Sequence, residues 1–421
     1  MIPETWHYRY LMSLPFRSRW GQGRMARFRD ERFRWTVRNA AATIPFYRRL
    51  LAVAGVDPLS IRGLADRGRL PLVTRDALRQ AGQEAWRQDV PAGQRWLAST
   101  SGSSGNPLIL LYHQAERVRM HAVNLDCEWL YGHRPWRLAM GLGTQLVSPQ
   151  GTWLQRLGLL RWIRVDPARP VREWVDLFER HRPYVLRGYP SMLREFCVEA
   201  QRRGGLKWRP RVLATGGELY PPELDELVHR TFGFSPITCY GAMETGRMAF
   251  SCTGGGGLHV RMDAVDLEIL REGVPVGPGQ SGEVVLTSLI FTCMPLIRYP
   301  VGDLAVWDDS PCACGLWWPK LRLHEGRGSD VLALPDGRRV PITTLGGPIG
   351  RVPGVRQYQF IQTGPTALTV RYSADGDARE VGAALALIRG QLPGVQVRSE
   401  RVERIGHSVT GKVPRFIRQG M

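Results

Sequence analysis

Lysine is nearly absent from this sequence of 421 residues. It occurs at three positions, Lys207, Lys320 and Lys412, although lysine and arginine together number 57. The other basic residues are arginines, and the formal net charge is +19 with an isoelectric point of about 10.3. Such a charge would suit a nucleic-acid-binding protein. Because the arginines are mostly scattered and the skew resembles a codon-usage habit, we predict no specific nucleic-acid partner.

Long apolar runs are also missing, since no stretch reaches the roughly 18 uninterrupted apolar residues typical of a membrane-spanning helix. The first twenty residues, MIPETWHYRYLMSLPFRSRW, lack the basic-then-apolar layout and the small-residue cleavage site of a secretory signal. We therefore expect a cytoplasmic protein.

One basic cluster stands out, RMARFRDERFRWTVR at 24–38, where aromatic and apolar residues recur at helical spacing. The pattern predicts an amphipathic basic helix. Two interpretations remain open. The helix covers a core with its charged face in solvent, or it contacts an anionic membrane surface or a polyanionic partner.

The seven cysteines are an odd number in a long chain, which argues against a complete disulfide framework. Cys127, Cys197, Cys239 and Cys293 lie among apolar or β-prone residues, and we interpret them as buried thiols. The remaining three cysteines lie close to glycines and a histidine and are considered below.

The length predicts two domains rather than one. Residues 1–95 have mainly helical patterns, whereas apolar runs then alternate with amphipathic helices up to about residue 300, which indicates parallel sheets covered by helices. Predicted strands are 107–112 and 209–217, predicted helices are 171–181 and 221–233, and a β-rich portion is expected around 280–310. We predict an α/β fold with a large multi-layer domain over 1–329.

The tail has its own pattern, in which two strands, a helix and a third strand follow one another from about residue 355. This order predicts a small α+β domain over 330–421, which is within the usual size range for a domain.

The stretch LASTSGSSGNPLILLY, 97–112, contains seven Ser, Thr or Gly residues among the eight from Ser99 to Asn106. Hydroxyls and glycine N–H groups can converge on an anion because glycine lets the backbone approach closely. A flexible linker would have the same composition. The loop alone therefore does not separate a phosphate cradle from a linker.

Five later segments have turn-like sequences and contain side chains suited to ligand binding: TGGE (215–218), YGAMETG (240–246), RYPVGD (298–303), GRGSD (326–330) and GKVPR (411–415). Tyr240 offers a ring for a base, Glu244 a hard oxygen ligand for magnesium, and Asp303 a carboxylate for ribose hydroxyls. Arg327 offers a forked donor for phosphate or ribose oxygens, and Lys412 a mobile point charge.

Together with the loop at 99–107, these segments resemble the motifs of the adenylate-forming superfamily, in order and at similar spacing over nearly the whole chain. The resemblance is greatest to the phenylacetate–CoA ligase branch and the related capsular-polysaccharide-cluster ligases. It implies a large ATP-binding domain and a small mobile C-terminal domain that carries a catalytic lysine, with Asp330 at the hinge.

The resemblance also implies a role for each motif. The residues from Ser101 to Gly105, namely Ser101, Gly102, Ser103, Ser104 and Gly105, would form a mobile loop over the β- and γ-phosphates of ATP. Ser99 and Thr100, directly before it, would also belong to the ATP-binding set. Gly216, Gly217 and Glu218 would lie beside the adenine, with Tyr240 stacked on it and Gly241 nearby. Glu244 would bind Mg²⁺, and Asp303 would hold the ribose with Arg327 close by. Lys412 would bridge the attacking carboxylate and the α-phosphate.

Two departures from the family pattern are visible. The glycine-rich loop commonly carries a lysine before its proline, and here that position is Asn106. The RYPVGD segment differs from the usual form at Pro300 and Val301 but retains Asp303. We expect these differences to affect substrate and acceptor more than adenylation.

A metal site is predicted separately from the spacing of Cys252, His259, Cys312 and Cys314, which form C-x6-H and C-x-C pairs. Thiolate and imidazole are the ligands that zinc prefers in a tetrahedron, and four protein ligands leave no position open for catalysis. The alternative is unconnected cysteines with a surface histidine. Relatives in the branch carry a similar set, so we predict a structural Zn²⁺.

The expected activity is ATP- and Mg²⁺-dependent ligation of a small-molecule carboxylic acid through an acyl-adenylate, followed by transfer to coenzyme A. Two alternatives remain: an amine or hydroxyl acceptor in polysaccharide or natural-product assembly, and a basic binding protein on a disabled ligase scaffold. Five residues are candidate pocket walls that would favour an aryl or apolar acid: Trp129, Tyr131, Trp136, Met140 and Tyr189.

Overall fold

The computed structural model describes residues 10–99, 108–130, 132–143, 153–252, 254–327, 331–334, 336, 338–375, 378–407 and 412–419. The chain divides into two compact units. The first unit comprises Met1–Leu130 with Cys239–His324, and the second comprises Tyr131–Thr238 with Glu325–Met421.

The first unit begins with helices, as the pattern over 1–95 predicts. Its α-helices are α1 (Gln22–Thr43), α2 (Pro45–Val53), α3 (Arg75–Ala81) and α4 (Gln114–Trp129). Short 3-10 turns lie at Leu14–Arg19, Pro58–Ser60, Leu64–Arg69, Gly82–Ala85 and Ala92–Gln94.

Helix α1 contains the whole basic cluster at 24–38, so the predicted helix is confirmed. Its apolar face is buried through Met25, Phe33, Val37 and Ala40. Phe33, Val37 and Ala40 belong to the hydrophobic core of the first unit. This packing is the arrangement expected of a helix that covers a core.

The strands of the first unit are mainly antiparallel. Strands β1 (Arg95–Ser99) and β2 (Ile109–His113) form a ribbon. The larger set has the order β11-β10-β12-β13-β14-β9-β8-β7. Its members are β7 (Ile237–Ala242), β8 (Gly246–Ser251), β9 (Leu258–Val260), β10 (Val265–Arg271), β11 (Val274–Pro275), β12 (Ser281–Ser288), β13 (Tyr299–Asp308) and β14 (Lys320–Arg327). The predicted β-rich portion around 280–310 lies within β12 and β13.

The second unit contains four parallel strands in the order β4-β3-β5-β6. They are β3 (Ala139–Leu142), β4 (Trp162–Val165), β5 (Val185–Gly188) and β6 (Val212–Gly216). The helices between and after them are α5 (Trp153–Arg156), α6 (Val171–His181), α7 (Pro190–Arg202) and α8 (Pro222–Phe232). Both helices predicted in this region are confirmed, and Gly233 ends α8 in the left-handed conformation with φ of 86°.

The C-terminal part of the second unit forms a smaller sheet in the order β19-β18-β17-β20. Its strands are β17 (Val355–Gly364), β18 (Ala367–Ala374), β19 (Gln396–Arg401) and β20 (Phe416–Arg418), accompanied by the hairpin β15 (Val331–Ala333) and β16 (Arg339–Pro341) and by helices α9 (Ile342–Gly350) and α10 (Ala378–Gln391). The predicted order of strand, strand, helix and strand is confirmed, and β20 is a further strand beyond it.

The predicted fold class is confirmed, since a large mixed sheet and a smaller C-terminal sheet are both present. Among the described residues, no helix is sufficiently long and apolar to span a membrane. The domain boundary at residue 330 and the mobility of the small domain stay predictions, since compactness groups Glu325–Met421 with Tyr131–Thr238.

Candidate active site

The first group of predicted site residues lies where two parallel strands of the second unit end. Strand β5 leads into Tyr189 and α7, and β6 leads into Gly217 and Glu218. Gly188 pairs with Thr215, whose hydroxyl donates to the Gly188 carbonyl at 3.0 Å. The two loops therefore leave the sheet side by side at its carboxyl edge, which is where ligands bind in open α/β sheets.

Gly217 has a φ of +79°, which favours glycine. A Cβ at this position would lie 2.9 Å from Cε1 of Tyr189 and 3.5 Å from Cε of Lys412. The close approach of the tyrosine ring and the lysine side chain therefore depends on the missing side chain.

Glu218 connects three segments of the second unit. Its carboxylate accepts from the Ser191 backbone N–H at 2.9 Å, from the Ser191 hydroxyl at 3.0 Å and from the Val413 backbone N–H at 3.2 Å. Burial raises the pKa of Glu218, while the Ser191 hydrogen bonds and the charges of Arg415 and Lys412 oppose that rise. This carboxylate thus holds the backbone directly after the lysine.

Lys412 lies against the same group. Its Nζ is 5.3 Å from the centroid of the Tyr189 ring, within cation–π range. Strand β20 begins soon after it and pairs in parallel with β17, and the Phe360 N–H donates to the Arg415 carbonyl at 2.8 Å. The structure therefore brings together three of the predicted site residues, Lys412, Gly217 and Glu218. Tyr189 and Ser191 lie in the same group.

A second group lies in the first unit. The Tyr240 hydroxyl on β7 donates to Oδ2 of Asp303 on β13 at 2.8 Å. Tyr240 is buried and Asp303 is half-buried. Gly241 follows at a position where a Cβ would lie 2.4 Å from the Gly246 carbonyl oxygen, so the turn into β8 requires glycine.

Glu244 lies in the turn between β7 and β8 and is 9% exposed. Burial raises the pKa of Tyr112 well above its ordinary value, and the nearby charge of Glu244 adds to the rise. The Tyr112 hydroxyl donates to the Met243 carbonyl at 2.7 Å, which ties this turn to β2. A carboxylate held in this way suits a hard cation such as Mg²⁺.

The other predicted residues are less fully described. Ser99 ends β1, and Arg327 ends β14 with its backbone alone described. The phosphate-loop residues Thr100, Ser101, Gly102, Ser103, Ser104, Gly105 and Asn106, together with Asp330, lie outside the described residues.

The four predicted metal ligands converge in the first unit. The ligand atoms of Cys252, His259, Cys312 and Cys314 all lie within 4.8 Å of one another. Sγ of Cys252 is 3.1 Å from Sγ of Cys312, and Sγ of Cys314 is 3.3 Å from Nε2 of His259. These thiols are not disulfide-bonded, in agreement with the prediction.

His259 is oriented for this cluster. It is fully buried, and its Nδ1 lies 3.0 Å from the Trp318 carbonyl oxygen. The carbonyl can only accept, so Nδ1 carries the hydrogen and Nε2 presents its lone pair to the thiols, as in many histidine metal ligands. Three thiols and this nitrogen form a donor set that fits zinc.

Two predicted pocket walls, Met140 and Tyr189, belong to one buried core cluster of the second unit. Tyr189 also contacts Lys412, and Trp136 is 57% exposed. Trp129 ends α4 in the first unit, and Tyr131 lies outside the described residues. The aromatic lining of an acyl pocket therefore stays a prediction.

Ser191 was missed from the sequence, and Tyr189 was considered only as a pocket wall. A signal for both was present, because RGYPS follows a buried strand and its proline suits the first turn of a helix. That pattern predicts a loop at the carboxyl edge of a sheet, although it does not reveal the lysine as a neighbour.

Comparison with known proteins gives the same assignment as the motifs, although no protein family model matches the chain. The chain is 27% identical over 325 residues to a phenylacetate–coenzyme A ligase of Thermus thermophilus, a match that covers 72% of this chain and 71% of that protein. It is 25% identical over 292 residues to the phenylacetate–coenzyme A ligase of Escherichia coli, covering 65% of each chain. The match thus spans slightly less than two thirds of the Escherichia coli relative.

Solved structures share the fold. A 2-hydroxyisobutyryl-CoA ligase in the postadenylation state, bound to R3-HIB-AMP, superposes with a TM-score of 0.74 at 21% identity, covering 92% of this chain and 88% of that one. An anthranilate CoA ligase bound to anthranoyl-AMP gives a TM-score of 0.57 at 14% identity, covering 83% and 73%. The chain therefore shares the fold of these CoA ligases and is similar in sequence to phenylacetate–coenzyme A ligases.

Proposed function

We propose that this protein is an ATP-dependent carboxylate–CoA ligase that forms an acyl-adenylate and then an acyl-CoA thioester. The observation that carries the proposal is the placement of Lys412 beside Gly217 and Glu218 at the carboxyl edge of the parallel strands. The phenylacetate–CoA ligase relatives support the same reaction class.

In the adenylation step, a carboxylate oxygen of the substrate attacks the α-phosphorus of ATP. An O–P bond forms, and pyrophosphate leaves with the bonding electrons. Two anions must meet, so catalysis rests on positioning and charge stabilisation. Lys412 supplies a cation between the carboxylate and the α-phosphate, and the proposal assigns the loop from Ser99 to Gly105 to the β- and γ-phosphates.

The remaining site residues have nucleotide-binding roles in the proposal. Tyr240 stacks on the adenine, and its hydroxyl orients Asp303, which accepts from the ribose hydroxyls with Arg327 nearby. Glu244 is the proposed Mg²⁺ ligand. The metal, when bound, neutralises phosphate charge. Asp330 is the proposed hinge of a small domain over 330–421.

A structural zinc site is the second part of the proposal. Cys252, His259, Cys312 and Cys314 would hold one Zn²⁺, and a closed four-ligand site joins the turn after β8 to the turn between β13 and β14. The site is proposed to stabilise the fold and to have no part in the reaction.

Two alternatives concern the acceptor and the basic surface. Transfer to an amine or hydroxyl would leave the adenylation unchanged, and dependence of turnover on coenzyme A separates this alternative from thioester formation.

Contact of the basic helix α1 with an anionic membrane, and a cytoplasmic location, stay predictions. Arg24 and Arg27 of α1 are exposed and could take part in such a contact, whereas Arg32 is buried and donates to the Leu289 carbonyl.

The test is carboxylate-dependent exchange of pyrophosphate into ATP, measured over a panel of aryl, fatty and amino acids, with Asp303→Ala and Lys412→Ala as variants. We expect exchange with one acid class that is lost in both variants, and formation of AMP with a thioester when coenzyme A is added. A folded protein that binds no ATP and exchanges with none of the acids would instead support the disabled-scaffold alternative.

A further inference from the structure

Glu195 on α7 is a nearly buried carboxylate, 2% exposed, that faces the chain leading to Lys412. Its Oε1 lies 2.7 Å from Nε2 of His407 and accepts from Nε2 of Gln357 at 3.1 Å. A buried carboxylate is costly without partners, so these contacts hold His407 and Gln357 firmly to the helix.

The contact with Arg404 indicates which ring nitrogen of His407 carries the hydrogen. A guanidinium N–H of Arg404 donates to Nδ1 of His407 at 3.1 Å, and the same group donates to the Pro167 carbonyl at 2.6 Å. Arginine can only donate, so Nδ1 is the acceptor and Nε2 carries the hydrogen directed at Glu195. Arg404 thus donates to His407, and His407 in turn donates to Glu195.

Residues on both sides of Lys412 form hydrogen bonds with other segments of the second unit. On the upstream side, Ile405 exchanges two hydrogen bonds with the Gln357 amide, at 2.7 and 2.9 Å, and His407 binds Glu195. On the downstream side, the Val413 N–H binds Glu218. We call the contacts of Ile405 and His407 the upstream clamp, and the contact of Val413 with Glu218 the downstream clamp.

Helix α7 takes part in both clamps. Tyr189, which immediately precedes it, contacts Lys412, and Ser191 in its first turn holds Glu218. Glu195, one turn further, holds His407. One helix thus takes part in contacts to the chain both before and after Lys412.

We propose that His407 and Glu195 are positioning residues for Lys412, acting through the upstream clamp in the adenylation half-reaction. This inference rests on the proposed function, because it assigns Lys412 to adenylation. A misplacement of about 1 Å in a reacting group can reduce a rate by about a hundredfold. Loss of the clamp should reduce kcat for adenylation while leaving KM for ATP nearly unchanged, because neither residue is a proposed ATP ligand.

The test compares His407→Phe, which keeps an aromatic ring and removes both ring nitrogens, with His407→Gln, which keeps an N–H donor near the position of Nε2. Glu195→Gln tests the other partner. Glu199→Gln is the matched control, since Glu199 lies one turn along α7 and pairs with Arg202 and Arg203 of its own region.

Each variant is assayed for ATP–pyrophosphate exchange and, separately, for coenzyme-A-dependent consumption of chemically prepared acyl-adenylate. Hydrogen exchange of peptides covering 405–419 is measured in the same samples. We expect kcat for exchange to fall at least about tenfold in His407→Phe and to recover partly in His407→Gln. Thioester formation from the adenylate should change little, and Glu199→Gln should resemble the wild type.

Equal losses in both half-reactions, or unchanged exchange in His407→Phe and Glu195→Gln, would overturn the inference. If His407→Phe does not fold, the comparison of Glu195→Gln with Glu199→Gln decides it. Absence of exchange in the wild-type protein would count against the proposed function alone. In that case hydrogen exchange still tests the upstream clamp. Unchanged protection of peptides covering 405–419 in the variants would show that His407 and Glu195 do not hold this segment.

Discussion

The Nζ of Lys412 lies 5.3 Å from the centroid of the Tyr189 ring, beside a glycine that leaves room for both side chains. The tyrosine follows β5, and the lysine precedes β20. A ring face attracts the ammonium group. The contact therefore places the Lys412 side chain at the carboxyl edge of the parallel strands of the second unit.

Replacement of Lys412 by alanine is expected to reduce carboxylate-dependent ATP–pyrophosphate exchange by about a hundredfold or more, because the cation between two anions is lost. Lys412→Arg should recover part of the rate, since the charge is kept but its compact shape is not. Lys207→Ala, at an exposed lysine, is the control and should keep the wild-type rate. Wild-type exchange in Lys412→Ala would remove this lysine from the reaction.

Gly217→Ala should disturb both stability and adenylation. A left-handed backbone costs an L-residue about 1–2 kcal/mol, and the added Cβ would also meet Tyr189. Gly204→Ala is a matched control, because Gly204 has a φ of +84° with open space around it. Urea unfolding should show a larger loss for Gly217→Ala, and pyrophosphate exchange should fall in that variant alone. Equal losses of stability in Gly217→Ala and Gly204→Ala would mean that the Tyr189 ring can move aside without a cost in free energy.

Tyr240→Phe keeps the ring and removes the hydroxyl that donates to Asp303. If the hydroxyl orients the carboxylate for ribose, KM for ATP should rise by about tenfold or more, since a hydrogen bond to a charged group contributes about 1.5–3 kcal/mol. Asp303→Ala should have a larger effect. Asp309→Ala, at an exposed carboxylate nearby in the chain, should leave KM unchanged. An unaltered KM in Tyr240→Phe would show that Asp303 is positioned without it.

The purified protein is expected to contain one zinc ion per chain, measured by elemental analysis. Cys314→Ser should lose that zinc and lower the melting temperature, because a closed site contributes folding free energy. Cys239→Ser, outside the cluster, should keep the metal. Full zinc content in Cys314→Ser would contradict the four-ligand assignment.

Glu218 predicts a pH dependence of stability with a defined sign. Its pKa is raised by burial, so the native state holds the proton more tightly than the unfolded state, whose value is about 4.3. Stability therefore decreases as pH rises from that value through the native pKa. Glu218→Gln removes this loss, so its free energy of unfolding should increase relative to that of the wild type as pH rises from about 4.3 through the native pKa of Glu218.

Glu226→Gln is the control of opposite sign. Hydrogen bonding to Arg351 lowers the pKa of Glu226, so its ionised form stabilises the native state. As pH rises from the native pKa of Glu226 to the unfolded value of about 4.3, the free energy of unfolding of this variant should therefore decrease relative to that of the wild type. The decrease should be small because the pair is exposed. If the free energy of unfolding relative to the wild type changed with pH in the same direction in both variants, burial would not be what shifts the pKa of Glu218.

Local sequence patterns determined the elements that flank the site. The helix predicted at 171–181 has those bounds in the structure, and the helix predicted at 221–233 spans 222–232, because apolar periodicity, prolines at the start of the second helix and its terminal glycine act over a few residues. The four metal ligands were also readable, since they lie in two short segments with characteristic spacing. Family-like motifs identified Lys412, Gly217 and Glu218 by their residue types.

Tertiary structure decided which of these residues meet. Glu195 and His407 are separated by 212 positions, and Tyr189 and Lys412 by a similar distance in the chain. The local sequence pattern of one segment does not predict its contact with the other. Such contacts arise only when the parallel strands and the C-terminal sheet pack within one compact unit. Burial then gives these polar groups their roles, since a carboxylate such as Glu195 becomes a clamp only where the packed chain removes it from water.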